Sequence, residues 1–459
     1  MLTTALAALL ASWAPAVQAA DYEAAAREAV ETLARLVAAD TSNPPGNEAK
    51  AVEVAAQMLT KAGIPFEVTE FAPGRRNLTA RLTGSGKEPP LLLLAHTDVP
   101  GADAQAWTSP PHVLTRSGDY LVGRGVYDML GMAAVELETI LLLAREKTTL
   151  RRDVIMAWTG DEQNDGAGLQ YLLEHHRDSV AAAFAINEGA GPVLAEDGSV
   201  KLVEVQLAEK VYQNFELTAR GPGGHASVPL ADNAIYRLAA ALGRLSSHRF
   251  PARLLPVTRA YFAARAALEP PETAAAMRAL SVSTGTPPAD AVAALAKNPT
   301  LDANLRTTCV ATLLQAGTRV NTLPESAKAS VNCRILPDES AADVLRRLRE
   351  VVADPAVGID LAGPPRQAGP SPEDAPAPRA VAKAAAKAWP GVPVVPVMSR
   401  SATDSVFLRA AGIPCYGIHP LAVTEADARR AHGSDERVRV KSVREGLEFF
   451  HGLLLELVH

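Results

Sequence analysis

The sequence predicts an α/β protein: a largely parallel, mixed sheet flanked by helices, interrupted by an inserted α+β unit of order βαββαβ. Three observations lead there. Short continuous apolar runs alternate with helical patterns, as strands buried on both faces do. Polar and acidic residues follow those runs directly, where open sheets keep their chemistry. From about Val211 the pattern changes to alternating strands and two further helices.

Taken in order, residues 1–20 contain "LTTALAALLASWAPAVQAA", an apolar stretch ending in Val17-Gln18-Ala19. It reads as a cleaved secretory signal, although it has no Lys or Arg at its start, and implies a secreted or periplasmic protein. Residues 21–208 form the first part of the main domain. Helical spacing over 22–38 puts Ala26, Val30, Leu33, Leu36 and Val37 on one face, and "KAVEVAAQMLTKAG" (50–63) predicts a second helix closed by Gly63. The runs "PPLLLLAHTDVP", "DVIMAWTGDE", "AAFAINEG" and, much later, "IPCYGIHP" predict buried strands.

Residues 209–366 read as the inserted unit. "VYQNFELTAR", "RTTCVATLLQAG", "SAKASVNCRIL" and "VGIDLAG" are its strands, and "DNAIYRLAAALGRL" and "SAADVLRRLREVV" its helices. Residues 255–300, rich in Ala and Pro, read as an excursion within it. "GPPRQAGPSPEDAPAPR" returns the chain to the main domain (367–459), whose last helix carries Val443, Leu447, Phe450, Leu454 and Leu457 at core spacing.

Bulk composition narrows the function classes. The 459 residues are 48% hydrophobic and 21% charged, enough for two or three domains with cores and too apolar for a disordered chain. A net charge of −6 gives no nucleic-acid footprint, and Arg75-Arg76 and Arg151-Arg152 read as solvated faces. No run after the signal reaches membrane length. The three cysteines, Cys309, Cys333 and Cys415, lack zinc-type spacing and lie in apolar strand-like runs, so buried free thiols are expected rather than a disulfide.

The chemistry gathers at the strand ends. His96 and Asp98 form His-x-Asp, Asp128 sits on the turn "GRGVYDMLG", and Asp161, Glu162 and Gln163 follow "AWTG". Glu188 lies in "NEG" and His432 in "AHGSDE". An Asp before a helix is ordinarily an N-cap. Imidazoles and carboxylates arriving together at strand ends suit a divalent metal better. His175, His176, His248, His451 and His459 have no ligand context, and His419 reads as a packing residue.

"LLLLAHTDVP", "GRGVYDMLG", "TGDE", "NEG", "GGHASVP" and "AHGSDER", in this order, resemble the co-catalytic zinc peptidases of the M20 family. The segment "LRTTCVATLLQAGTRVNTLPESAKASVNCRILP" is similar to the carboxypeptidase S branch and its secreted N-acyl amino acid hydrolase relatives. The resemblance implies a zinc-peptidase catalytic domain with an inserted lid and dimerisation domain. It implies two zinc ions, with cobalt or manganese as alternatives. Asp128 would bridge, His96 and Glu188 would complete one metal, and Gln163 and His432 the other. Asp98 would orient His96 and Glu162 would be the general base. His225 would stabilise the oxyanion, commonly from the partner subunit, so a homodimer is implied. Asn321 and Arg334 would hold a substrate carboxylate, and Thr403, in Ser401-Ala402-Thr403-Asp404, would lie beside the bound substrate.

Two positions depart from the pattern, mildly at Ala402, where the family usually has Gly, and more seriously at Gln163. Gln163 stands where relatives have a second Glu, which leaves a positive charge unbalanced beside two zinc ions. The second ion is then bound weakly, is absent, or takes Asp165 as a substitute. Asp165 precedes Gly166 and an apolar helix, which favours an N-cap. The expected activity is hydrolysis of an amide beside a free carboxylate, on a peptide or an N-acyl amino acid. The alternative is a catalytically impaired protein whose cleft binds a carboxylate ligand.

Overall fold

The computed structural model describes residues 20–459; the expected signal, apart from Ala20, lies outside them. Among the described residues no helix is long and apolar enough to cross a membrane.

Leu91–His96, Val154–Thr159, Phe184–Asn187 and Cys415–Gly417 form strands in adjacent, parallel positions of a ten-stranded mixed sheet. Every residue of the first three is buried, which explains their unbroken apolar runs. Because the strands are parallel, their C-terminal ends point the same way and carry His96, the Asp161–Gln163 turn and Glu188 to one edge. Antiparallel strands Phe66–Ala72 and Arg75–Leu82 close one side. On the other, Val200–Glu209 pairs with Cys415–Gly417 and, in parallel, with Val394–Ser399.

Helices Tyr22–Ala38, Glu48–Ala62, Leu130–Arg145 and Val440–Val458 pack on the sheet through a shared core that includes Leu33, Leu36, Met132, Leu447 and Phe450. Gly63 ends the second helix at φ 70°, a left-handed cap that glycine adopts without a Cβ penalty. Val30 is only partly buried, so the first helix uses a narrower face than its spacing suggests.

The inserted unit follows the expected order. Val211–Arg220, Thr308–Ala316, Ser326–Ile335 and Val357–Ala362 form a separate, antiparallel four-stranded sheet. Helices Ala234–Ser247 and Ala341–Val352 cover it around a core of Phe215, Leu238, Val331 and Leu348.

Residues 255–300 behave differently from their neighbours in the chain. Helices Pro256–Arg265, Pro271–Ser281, Ala289–Leu295 and Pro299–Leu305 bury Phe262, Met277 and Leu295 against Leu202, Val395 and Val397 of the large sheet. The excursion is thus a wall of the main domain's sheet rather than an ornament of the small one.

The cysteine expectation is corrected. Cys309 and Cys333 are joined in a disulfide, and Cys415 alone is a buried free thiol. The two stand opposite each other on adjacent antiparallel strands, with Cα atoms 4.1 Å apart. Sequence spacing carries no sign of that register.

Candidate active site

The turn after strand Val154–Thr159 builds half of the site. Asp161 adopts φ 72°, uncommon for a residue with a Cβ, and its carbonyl accepts the N–H groups of Asn164 and Asp165 at 3.2 and 3.0 Å. The turn places Glu162 and Gln163 on the wall of a cleft of about 900 Å³. The Asp161 side chain faces away from the cleft chemistry. It accepts from Asn43 at 3.0 Å and pairs with Arg75 at 2.8 Å.

Asp98 fixes the same turn from the neighbouring strand. Its carboxylate accepts the backbone N–H groups of Glu162 and Gln163, each at 3.1 Å, and the Asn43 side-chain N–H at 2.9 Å. Orientation of His96 falls to the Asp98 backbone: its carbonyl is 2.9 Å from His96 Nδ1, and the carboxylate is 3.7 Å away. Asp98 therefore positions three site residues at once.

His96 Nε2 points into the cluster. It lies 3.1 Å from Asp128, 3.6 Å from Glu188 and 3.7 Å from Glu162. One donor atom each from His96, Glu162 and Glu188 falls within a 4.8 Å set. The other Asp128 oxygen is 2.7 Å from His432 Nε2, while Gln163 Nε2 lies 3.5 Å from the oxygen that faces His96. Asp128 is thus central, with His96 and His432 on its two oxygens.

The electrostatics suit a cation. Burial alone would lower the His96 pKa, but the carboxylates of Glu162, Glu188 and Asp128 overcome it and hold it well above the ordinary value. Burial and then repulsion from Glu188 push Glu162 well up. Burial and then Asp128 push Glu188 up to about 8. Asp128 moves the other way: hydrogen bonds from His432 and His96 outweigh its burial and lower it. Carboxylates crowded until they resist ionisation are relieved by a divalent cation among them. Imidazole and carboxylate donors gathered in this way fit a divalent cation, while the Gln163 amide turns its nitrogen toward Asp128.

Two residues that the sequence alone does not single out hold this arrangement. Glu436, buried, accepts N–H groups from Gly125, Tyr127 and Asp128 at 2.9–3.0 Å and pairs with Arg124 at 2.9 Å. It lies within "AHGSDER", four residues after His432. Asn43, far off in "TSNPPGN", bridges Asp98 and Asp161 and has no local signal. Asp404, buried beside the cluster, is raised to about 7 by burial, against the pull of His96.

The remaining predicted residues divide into two groups. Thr403 lines the cleft, where its hydroxyl and backbone N–H both donate to Glu209, at 2.9 and 3.1 Å. His225, Asn321 and Arg334 lie outside the cleft lining. His225 is exposed with Nδ1 2.7 Å from the Ser227 hydroxyl, and the Asn321 carbonyl accepts the Ala226 N–H at 3.0 Å. Arg334 lies over the Tyr212 ring at 4.6 Å. Asp165 is neither cap nor ligand: it pairs with Arg366, and the Asp161 carboxylate takes the Ala167 N–H at 3.3 Å. His419 is buried, with Nε2 2.9 Å from the Tyr127 carbonyl. Burial brings its pKa down to about 4, in keeping with a packing role.

Comparison with known proteins gives one consistent result. Residues 92–456 match the model of Peptidase family M20/M25/M40. The human N-fatty-acyl-amino acid synthase/hydrolase PM20D1 is 27% identical over 395 residues, covering 81% of this chain and 75% of that protein. The probable carboxypeptidase S-like 2 of Dictyostelium discoideum is 26% identical, covering 80% and 71%. Among solved structures, the M20 family metallo-carboxypeptidase Sso-CP2 of Sulfolobus solfataricus superposes with a TM-score of 0.70 at 19% identity, over 93% of this chain and 98% of that one.

Proposed function

This chain belongs to peptidase family M20/M25/M40, and we propose that it is a metallohydrolase that cleaves an amide bond beside a free carboxylate. The observation that carries this reading is Glu162, held by Asp98 at the rim of the cluster, 3.7 Å from His96 and open to the cleft. A binding protein would have no use for a carboxylate aimed in this way.

We assign His96, Asp128 and Glu188 to one zinc ion, and His432 and Gln163, sharing Asp128, to a second. Zinc held there would supply Lewis acidity, to polarise an amide carbonyl and make water more acidic. Glu162 takes the proton from the attacking water and delivers it to the leaving amine. Asp98 keeps the Glu162 turn in register, and Glu436 does the same for the Asp128 loop.

Oxyanion and carboxylate recognition fall to residues that stand outside the cleft in a single chain. We propose that a second copy supplies His225. The small sheet supports this: its edge strand Thr308–Ala316 exposes Val310, Leu313 and Leu314 by 61–64%, a surface suited to pairing with a copy of itself. The Cys309–Cys333 disulfide supports an oxidising, secreted or periplasmic compartment.

The test is chelator-sensitive amine release from a panel of dipeptides and N-acyl amino acids. Release that stops with chelator and returns with zinc is expected. No release across a broad panel would favour the alternative of a carboxylate-binding cleft without turnover.

A further inference from the structure

The cleft continues past the metal cluster to the wall formed by the Pro256–Leu305 helices. That wall is charged. Arg265 lies 2.7 Å from Glu269, 3.5 Å from Glu204 and 3.7 Å from Glu425, so its guanidinium is already matched. A long alkyl chain laid there would strip water from these groups and return nothing. A polar substrate end fits better.

Arg400 differs from Arg265. It lines the same cleft, is exposed, and lies one residue beyond strand Val394–Ser399 and three before Thr403. Among the described residues no carboxylate oxygen comes within 4.0 Å of its guanidinium, although Glu204 and Tyr261 both feel its field. Lys210 gives its protons to the Ala303 and Arg306 carbonyls and the Thr308 hydroxyl, and Arg334 sits on Tyr212. The acid that feels Arg400, Glu204, lies 3.5 Å from Arg265, and Glu209, which acts on Arg334, is committed to Arg409 at 2.6 Å. Arg429, at the rim, acts on Glu425. If Arg334 takes the carboxylate beside the scissile amide, Arg400 remains for another.

We propose that Arg400 is a specificity residue that selects substrates carrying a second carboxylate, on the amino acid side chain or at the far end of the acyl group. This rests on the hydrolase reading above. The ion pair forms only with substrate, in a cleft that partly excludes water, where such a contact discriminates more than it does on an open surface.

Two matched pairs separate the sources: N-acetylglutamate against N-acetylglutamine, and N-succinylmethionine against N-butanoylmethionine. The readout is the acid-to-neutral ratio of kcat/KM in the wild type, Arg400→Gln, Arg400→Lys and Arg400→Glu. The wild type is expected to favour the acidic member of one pair about tenfold, the scale of one partly desolvated ion pair. Arg400→Gln should bring that ratio to near one, Arg400→Lys should restore part of it, and Arg400→Glu should invert it. The pair that responds identifies the source. A ratio that Arg400→Gln leaves unchanged in both pairs overturns the proposal. The hydrolase reading fails only if the wider panel of dipeptides and N-acyl amino acids is inert as well; if the wild type cleaves none of these four, calorimetric binding of the same four decides the role of Arg400 separately. An acid preference lost in Arg400→Gln upholds it, and equal binding by both proteins overturns it.

Discussion

The carboxylate of Glu436 accepts the backbone N–H of Asp128 at 3.0 Å, so the C-terminal segment that presents His432 also shapes the loop that presents the central carboxylate. Glu436 is fully buried and serves Gly125, Tyr127 and Arg124 as well. An amide in its place turns one acceptor into a donor that faces other donors. Glu436→Gln should lose about 1–3 kcal/mol of stability, the penalty for buried unmatched polar groups. Metal affinity should fall by about 10–100-fold, as it does when a ligand's supporting partner is removed. Thermal melts and zinc titration read both, and an unchanged zinc affinity would show that the Asp128 loop holds itself.

If the partner subunit's His225 completes the site, two dead variants can rescue each other. His225→Ala and Glu162→Gln homodimers should each be inactive. Dissociated, mixed and reassembled, they form heterodimers with one intact site, and random pairing gives about a quarter of wild-type activity. No recovery, with heterodimers verified by native mass spectrometry, would place His225 outside the mechanism or within its own chain.

The cross-strand disulfide predicts one reactive thiol per denatured chain before reduction and three after, because Cys415 alone is free. Replacing Cys309 and Cys333 by Ser should cost roughly 3 kcal/mol, the loop-closure value for a bridge spanning 24 residues. Three thiols without reductant would restore the free-thiol expectation.

Lys210 gives stability a pH dependence away from the metal cluster. Burial first, then Arg400 and Arg334, bring its pKa from 10.5 down to about 7. Between those values the unfolded chain holds a proton that the folded chain has released, so this contribution to stability rises with pH. Below about pH 7 the full cost of burying the cation is present. Lys210→Met should therefore gain on the wild type most near pH 6, and its relative stability should fall by roughly 2–5 kcal/mol toward pH 10. Urea unfolding at several pH values tests this, and a difference that does not vary with pH would contradict it.

Much of the fold was legible because its strands are buried on both faces. Leu91–His96 and Val154–Thr159 announce themselves as apolar runs, and parallel pairing puts the polar residues that follow them at one edge. Local patterns do not extend to partners distant in sequence. Nothing near Asn43 indicates that it bridges Asp98 and Asp161, and nothing near Cys309 indicates that Cys333 lies opposite. The 255–300 excursion was obscured for another reason. Pro256, Pro271 and Pro299 look like helix breakers, but each occupies the first turn of a helix, where its missing N–H costs nothing. Gln163 was visible as a departure from the pattern. Its amide, 3.5 Å from Asp128, keeps it at the cluster, where it remains the weakest candidate ligand.

The most direct measurement is zinc per chain, by elemental mass spectrometry after reconstitution and removal of loose metal, taken with amine release on the same samples. The donor set around Asp128 predicts two ions per chain, the one on the Gln163 and His432 side leaving first, with turnover falling as it leaves. A folded protein that retains no zinc, and whose turnover does not respond to it, would contradict the metallohydrolase reading at its root.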